Sequence, residues 1–150
     1  MSAARLVIVT ACYGSRGDVA PLARLARAIQ TATKASDDDD DDDERPTSVV
    51  FMANPHFARL ARGLDFHPVG DAAEYEARLA DSKGRKYYGN GSVVDWWMRQ
   101  LGTHVRAMRA LFDGDQYESV VLVGHPLVRY FCVFNLAPVA SFRPPHHVRD

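Results

Sequence analysis

The sequence has few cysteines and no long apolar run, and each absence excludes a class of protein. Its two cysteines, Cys12 and Cys132, are too few for a disulfide framework, and their apolar neighbours favour buried, reduced thiols. No window approaches the ~18 consecutive apolar residues that a membrane-spanning helix needs. The N-terminal apolar run is short and leads into a loop with glycines, so it does not predict a signal peptide. We expect a cytoplasmic protein with at most peripheral membrane contact.

Acidic residues are scarce outside one block. Asp37–Glu44 holds eight of the 19 acidic residues, and the other 11 stand against 18 basic ones. The rest of the chain is therefore basic, which favours anionic ligands, although arginines scattered over solvated helix faces explain the same excess. The block predicts a disordered insertion at 36–46, because its carboxylates repel one another and it has nothing apolar to bury. It lacks the spacers and glycine turn of a calcium loop, and we expect no metal site.

Hydrophobic patterning predicts strands and helices in alternation. Strands are predicted at Arg5–Thr10, Ser48–Ala53, Phe66–Gly70 and Glu118–Val123. Helices are predicted from Pro21 to about Thr33, around Phe57–Ala61, after a cap at Asp71, and from Val94 to Phe112. This order indicates an α/β fold, a Rossmann-like parallel sheet with helices on both faces.

The longest predicted helix carries an apolar stripe with the helical spacing of four and three residues. Its members are Val94, Met98, Leu101, Val105, Met108 and Phe112. Trp97 borders this stripe, whereas Trp96 is predicted to point away from it, beside Gln100 and Thr103. Trp96 is then either a half-covered surface residue or part of a ligand-binding wall.

The segment GSRGDVAP, Gly14 to Pro21, follows the first predicted strand, at the edge where ligands of parallel sheets bind. A loop that enters a helix presents unpaired N–H groups to an anion. The spacing of a Walker loop and the dinucleotide fingerprint are both absent, however, and Asp18 would repel a phosphate. Asp18 fits a general base for a hydroxyl group and a cap of the helix predicted at Pro21 equally well.

The same segment resembles the G-[ST]-R-G-D-V-x-P signature of family 28-type glycosyltransferases. This family includes sterol glucosyltransferases and the glycosyltransferases of glycopeptide and macrolide antibiotics. LARLARAI resembles the family's first helix, and ANPHFARLARGLDFHPVGD resembles its second strand, helix and following turn. With YEARLAD and NLAP, the resemblance covers most of residues 5 to 140, interrupted by the acidic block.

The resemblance implies the N-terminal half of a GT-B fold. Residues 1–142 would form the acceptor-binding domain of an inverting glycosyltransferase, with a disordered tail at 143–150. Such an enzyme moves a hexose from a nucleotide-sugar, UDP- or TDP-linked, to a lipid, sterol or similar small hydroxylated acceptor. No nucleic-acid partner is expected.

The resemblance also implies roles for individual residues. Asp18 would be the catalytic base that deprotonates the acceptor hydroxyl. The rest of the signature would shape the floor of the cleft, with Arg16 ordering the loop: Gly14, Ser15, Arg16 and Gly17. Trp96 and Trp97 fall where the family builds its acceptor pocket. His125, in the turn after the last predicted strand, is a further binding candidate.

Two departures from the family pattern shape our expectations. The donor-binding half is missing, so we expect no useful sugar transfer by this chain without a separate donor-binding domain or subunit. Only about six residues, Gly124–Arg129, precede the apolar run Tyr130–Leu136, whereas a parallel crossover takes about a dozen or more. We therefore expect a fold truncated at its C-terminal end, with Tyr130–Leu136 displaced, antiparallel or poorly ordered.

The adjacent histidines His146 and His147 lack the further ligands that a metal site needs, so they do not predict one.

Two alternatives remain open at this point. The chain could be a non-catalytic module that binds a lipid or other small molecule in the same cleft. It could also be a nucleotide-binding α/β protein of another class, for which the basic body of the chain is the main argument.

Overall fold

The computed structural model describes residues 4–12, 14–36, 46–82, 91–112 and 117–125 of the 150-residue chain. Four strands form one all-parallel sheet in the order β3-β2-β1-β4. They are β1 (Ala4–Ala11), β2 (Thr47–Ala53), β3 (Asp65–Pro68) and β4 (Tyr117–Gly124). All four lie where the apolar runs predict strands, so the strand predictions are confirmed.

Three α-helices and one 3-10 helix connect the strands. They are α1 (Arg16–Ser36), the 3-10 helix (Pro55–Ala61), α2 (Ala72–Ser82) and α3 (Gly91–Phe112). Asp71 caps α2 as predicted: its Oδ1 accepts the N–H of Glu74 at 2.9 Å.

The predicted start of α1 at Pro21 is wrong, and so is the predicted end near Thr33. The helix begins at Arg16, directly after Ser15, and ends at Ser36, so Pro21 lies inside it. Proline is most common at the first helical position, which is why it marked the start in the sequence. The contacts of Ser15 and Asp18 instead begin the helix five residues earlier, even though Pro21 has no N–H for the Gly17 carbonyl.

The sheet buries a different set of side chains on each face, because side chains alternate along a strand. One face packs against α1 and the 3-10 helix through Val7, Val9, Val49, Phe51 and their neighbours Val19, Ala23 and Phe57. The other face packs against α3 through Leu6, Ile8, Val50, Met52, Leu101 and Met108. The predicted α/β architecture, a parallel sheet covered by helices on both faces, is confirmed.

The buried face of α3 differs from the predicted stripe. Trp96 is 5% exposed and belongs to the core, whereas Met98, assigned to the stripe, is 46% exposed. Leu101 and Met108 are buried as predicted, and Gln100 and His104 are buried beside them. The prediction failed because it counted apolar residues only, so the two buried polar residues did not register as part of the inward face.

Several expectations concern residues outside the described ranges. These are the acidic insertion, most of the loop between α2 and α3, Cys132, Tyr130–Leu136, His146-His147 and the C-terminal tail. Within the described part, Cys12 is buried and forms no disulfide. No helix described by the structure is long and apolar enough to cross a membrane.

Candidate functional site

Asp18 lies in the first turn of α1 and binds the residue that precedes the helix. Its Oδ2 accepts the backbone N–H of Ser15 at 2.7 Å and the Ser15 hydroxyl at 3.1 Å. In return, Ser15 Oγ accepts the N–H of Gly17 at 3.2 Å. This reciprocal arrangement is a capping box, so Asp18 stabilises the helix start from inside rather than as the N-cap of a helix at Pro21. The Asp18 side chain is nonetheless exposed to solvent at the carboxyl edge of the sheet.

Gly14 allows this turn to close. Its φ of +106° is a backbone conformation that side chains disfavour. A Cβ at this position would lie 2.6 Å from Asp18 Cβ and 2.7 Å from Asp18 Oδ2. The glycine therefore lets the Asp18 side chain pack directly over the backbone that precedes it.

Tyr75 of α2 ties the Gly14 turn to the rest of the domain. Its hydroxyl donates a hydrogen bond of 2.6 Å to the Gly14 carbonyl, 61 residues away in the sequence. The Tyr75 ring contacts three other rings, with centroid distances of 5.0 Å to His56, 5.2 Å to Phe57 and 5.9 Å to Trp96. An aromatic cluster of four rings therefore supports the turn that carries Asp18.

His56 is the exposed polar member of this cluster. It follows β2 directly through Asn54 and Pro55, so it lies at the same sheet edge as Asp18. Its Nδ1 is 2.9 Å from Oε1 of Glu76 on α2. Because a carboxylate only accepts hydrogen bonds, the Nδ1 hydrogen points to Glu76 and the neutral ring keeps its lone pair at Nε2.

Trp96 is buried in the core, and Trp97 is partly buried. Trp96 packs against Tyr75 in the core, and Trp97 is partly buried against the same side of the sheet. The Nε1 of Trp96 is buried and has no hydrogen-bond partner among the described residues. The half-covered surface position predicted for Trp96 is thus wrong, because the side chain is buried behind Tyr75, and its place in a ligand-binding wall stays a prediction.

The remaining candidates, Arg16, Gly17 and His125, occupy the same sheet edge. Arg16 and Gly17 are exposed in the first turn of α1, and the described hydrogen bonds that order the turn come from Ser15, Asp18 and Tyr75 rather than from Arg16. His125 follows β4, the strand on the other side of β1 from β2, and is half-buried. The structure therefore brings Gly14, Ser15 and Asp18 into direct contact and leaves Arg16 outside their hydrogen bonds.

Sequence reasoning missed Tyr75 as a site residue and did not consider His56 or Glu76. Tyr75 lies on the helix predicted after the Asp71 cap, and nothing in that pattern marks it as a site residue. A weak indication existed for His56, because Asn54-Pro55-His56 follows a buried strand and the carboxyl ends of parallel strands share one edge. Nothing local pairs His56 with Glu76, which is 20 residues further along the chain. Within the described residues, no three histidine, cysteine or acidic side chains group so as to hold a metal ion.

No family model matches this chain, and neither a curated protein nor a solved structure resembles it detectably. The resemblance to family 28-type glycosyltransferases therefore stays a prediction, and the geometry of the site must carry the functional argument.

Replacing Tyr75 with phenylalanine is expected to loosen the Gly14 turn. The variant keeps the ring contacts and loses the hydrogen bond to the Gly14 carbonyl, which contributes ~1 kcal/mol to the free energy of unfolding. Hydrogen exchange should show faster exchange at residues 14–18 with little change in β2. Tyr117→Phe is the matched control, since the Tyr117 hydroxyl makes no hydrogen bond within the described residues. Equal exchange in the two variants would contradict the tethering role.

Proposed function

We propose that this chain is the acceptor-binding domain of an inverting hexosyltransferase, with Asp18 as the base. The observation that carries the proposal is an exposed carboxylate, positioned by two hydrogen bonds, at the carboxyl edge of a parallel sheet. Ligands of open parallel sheets bind at this edge. The GSRGDVAP signature supports the same assignment.

The local geometry suits an anionic proton acceptor. Both described hydrogen bonds to the Asp18 carboxylate go to Oδ2, and both come from Ser15. The carboxylate also lies in the first turn of a helix, where the positive end of the helix dipole favours negative charge. Ser15 therefore holds Oδ2 and orients the carboxylate so that Oδ1 can meet a hydroxyl group.

The reaction requires little else from this half of the enzyme. Asp18 takes the proton of the acceptor hydroxyl as its oxygen attacks the anomeric carbon of the donor. The bond from that carbon to the nucleotide diphosphate breaks, and the configuration inverts. The nucleotide-sugar, as co-substrate, would be held by a separate donor-binding domain or subunit, which would also stabilise the charge of the leaving diphosphate.

A non-catalytic binding module for a lipid or other small molecule is the second candidate, and the capping box favours it. The contacts of Asp18 with Ser15 explain an aspartate at this position through helix stability alone. The two candidates therefore differ in whether removing the charge of Asp18 affects chemistry or only stability.

Replacing Asp18 with asparagine separates these candidates. The chain is purified together with any Rossmann-like subunit bound to it, and transfer from a radiolabelled nucleotide-sugar is measured. We expect D18N to lower transfer by ~10²- to 10⁴-fold, because asparagine cannot accept the proton. The affinity for the hydroxylated substrate should change by less than about twofold, because asparagine keeps the shape of the side chain and one oxygen that accepts hydrogen bonds.

Ser15→Ala is the matched control for the cap. It removes the hydroxyl contacts with Asp18 and Gly17 and should cost ~1 kcal/mol of stability, but the Ser15 N–H still holds Asp18 Oδ2, so transfer should fall far less than in D18N. Transfer by D18N at the wild-type rate would refute the role of Asp18 as base. Calorimetric titration with nucleotide in the absence of sugar tests the other open alternative, a nucleotide-binding α/β protein of another class. Tight binding of nucleotide by this chain alone would favour that alternative.

A further inference from the structure

The His56–Glu76 pair is a polar group at the sheet edge that the proposed chemistry does not use. Three contacts set the orientation of the imidazole: Nδ1 with Glu76 at 2.9 Å, the Tyr75 ring at 5.0 Å and the Phe57 ring, edge-on, at 5.0 Å. About a third of the His56 side chain is exposed, at 33%. Such contacts hold a ring in one tautomer and one direction, as partners of functional histidines do.

The free nitrogen of His56 has a defined chemical preference. Since Nδ1 donates to Glu76, Nε2 of the neutral ring is an acceptor, and it has no hydrogen bond with the described residues. In the neutral tautomer whose Nδ1 donates to Glu76, Nε2 therefore suits a hydroxyl or N–H group of a ligand rather than a carboxylate or phosphate oxygen.

His56 and Asp18 belong to one structural unit. They follow β2 and β1, which are neighbours in the sheet, and neighbouring strands lie ~4.8 Å apart. Tyr75 connects them, because its ring contacts His56 and its hydroxyl binds the Gly14 carbonyl beneath Asp18. This edge thus presents two hydrogen-bond acceptors, the Asp18 carboxylate and His56 Nε2, which follow neighbouring strands and are linked through Tyr75.

We propose that His56 accepts a hydrogen bond from a second hydroxyl group of the bound acceptor, so that the site selects molecules with at least two hydroxyl groups. One hydroxyl hydrogen cannot serve both Asp18 and His56, so the hydroxyl that reacts at Asp18 and the one that binds His56 are different groups. The inference rests on the proposed function, since it assigns a substrate class to the same site.

Binding of alcohols to the full chain tests this inference without any sugar transfer. The probes are dodecan-1-ol, dodecane-1,2-diol and dodecane-1,4-diol, which share an apolar chain and differ in the number and spacing of hydroxyl groups. Tryptophan emission reports binding, because the two tryptophans are Trp96 and Trp97 and Trp96 packs against Tyr75. We expect one of the diols to bind roughly tenfold more tightly than the monoalcohol, the effect of one net hydrogen bond.

Variants then assign the preference to His56. His56→Phe keeps a ring against Tyr75 and removes Nε2, so the diol and the monoalcohol should bind equally. Glu76→Ala frees the imidazole and should reduce the preference, whereas Glu76→Gln keeps an oxygen acceptor for Nδ1 and should retain it. Circular dichroism checks that each variant is folded. If His56→Phe does not fold, the comparison of Glu76→Ala with Glu76→Gln still tests whether His56 carries the preference for the diol.

The outcomes separate this inference from the proposed function. Equal binding of all three alcohols to the wild-type chain overturns the selection of diols but does not contradict the proposed function as an acceptor-binding domain. Binding of none of them counts against both. A diol preference that survives in His56→Phe assigns the second hydroxyl to another group and overturns the role of His56.

Discussion

Replacing Gly14 with alanine should destabilise the domain by about 3 kcal/mol or more, because two costs add at this position. The φ of +106° disfavours any side chain. The new Cβ would also lie 2.6 Å from Asp18 Cβ, and a Cβ cannot move away by a change of rotamer. The first turn of α1 must therefore shift, which breaks the bonds between Asp18 and Ser15.

Gly63→Ala is the matched control for this substitution. Gly63 has a similar φ of +79°, but a Cβ there would meet no heavy atom within 4 Å. Its substitution should therefore cost only the backbone term, ~1 kcal/mol. Urea denaturation followed by circular dichroism measures both variants, and the difference of ~2 kcal/mol reports the collision with Asp18. Equal losses of stability would show that Asp18 does not pack over Gly14 as described.

The stability of the domain should fall by about 3 kcal/mol between pH 7 and pH 4 because of His104 alone. His104 belongs to α3, and its side chain is fully buried on the inward face of that helix. Its Nδ1 donates to the Gln100 carbonyl at 3.0 Å, and its Nε2 is buried with no partner among the described residues. Burial lowers the pKa of His104 from 6.5 to about 4; the bond to Gln100 opposes this shift and the nearby His67 adds to it.

The sign follows from proton binding in the two states. In the unfolded chain His104 has a pKa near 6.5, so it takes up a proton as the pH falls below that value. The folded chain does not take up this proton until the pH reaches about 4. Acid therefore favours the unfolded chain across this window, and the stability present above pH 6.5 is lost progressively towards pH 4.

His104→Gln tests the assignment, since glutamine is polar and does not titrate. Urea denaturation at pH 7.0, 5.5 and 4.5 should give a shallower loss of stability with falling pH in the variant than in the wild type. His67→Gln should give an intermediate slope, because it removes one of the two causes that lower the pKa of His104. Parallel pH profiles for wild type and His104→Gln would exclude His104 as the source of the acid sensitivity.

The candidate site was only partly predictable, and the residues show why. Gly14, Ser15 and Asp18 lie within the short segment 14–18, so local sequence suffices to relate them, and the structure places them in contact. His56, Tyr75 and Glu76 come from two further elements, and their relation to the turn depends on how α2 packs. Trp96 was misplaced because the inward face of α3 includes Gln100 and His104, which polarity alone assigns to the surface.

By itself, the sequence determined the four strands, the alternation with helices and the parallel sheet, because apolar runs and their periods are local properties of the chain. It also determined a strand-to-helix turn with an aspartate at the carboxyl edge of the sheet. Only the tertiary structure decided that α1 begins at Arg16, that α3 buries Trp96 and His104, and that Tyr75 joins His56 to the Asp18 turn. These features depend on contacts between residues that are distant in sequence, and the energies of such contacts cannot be read from any local sequence pattern.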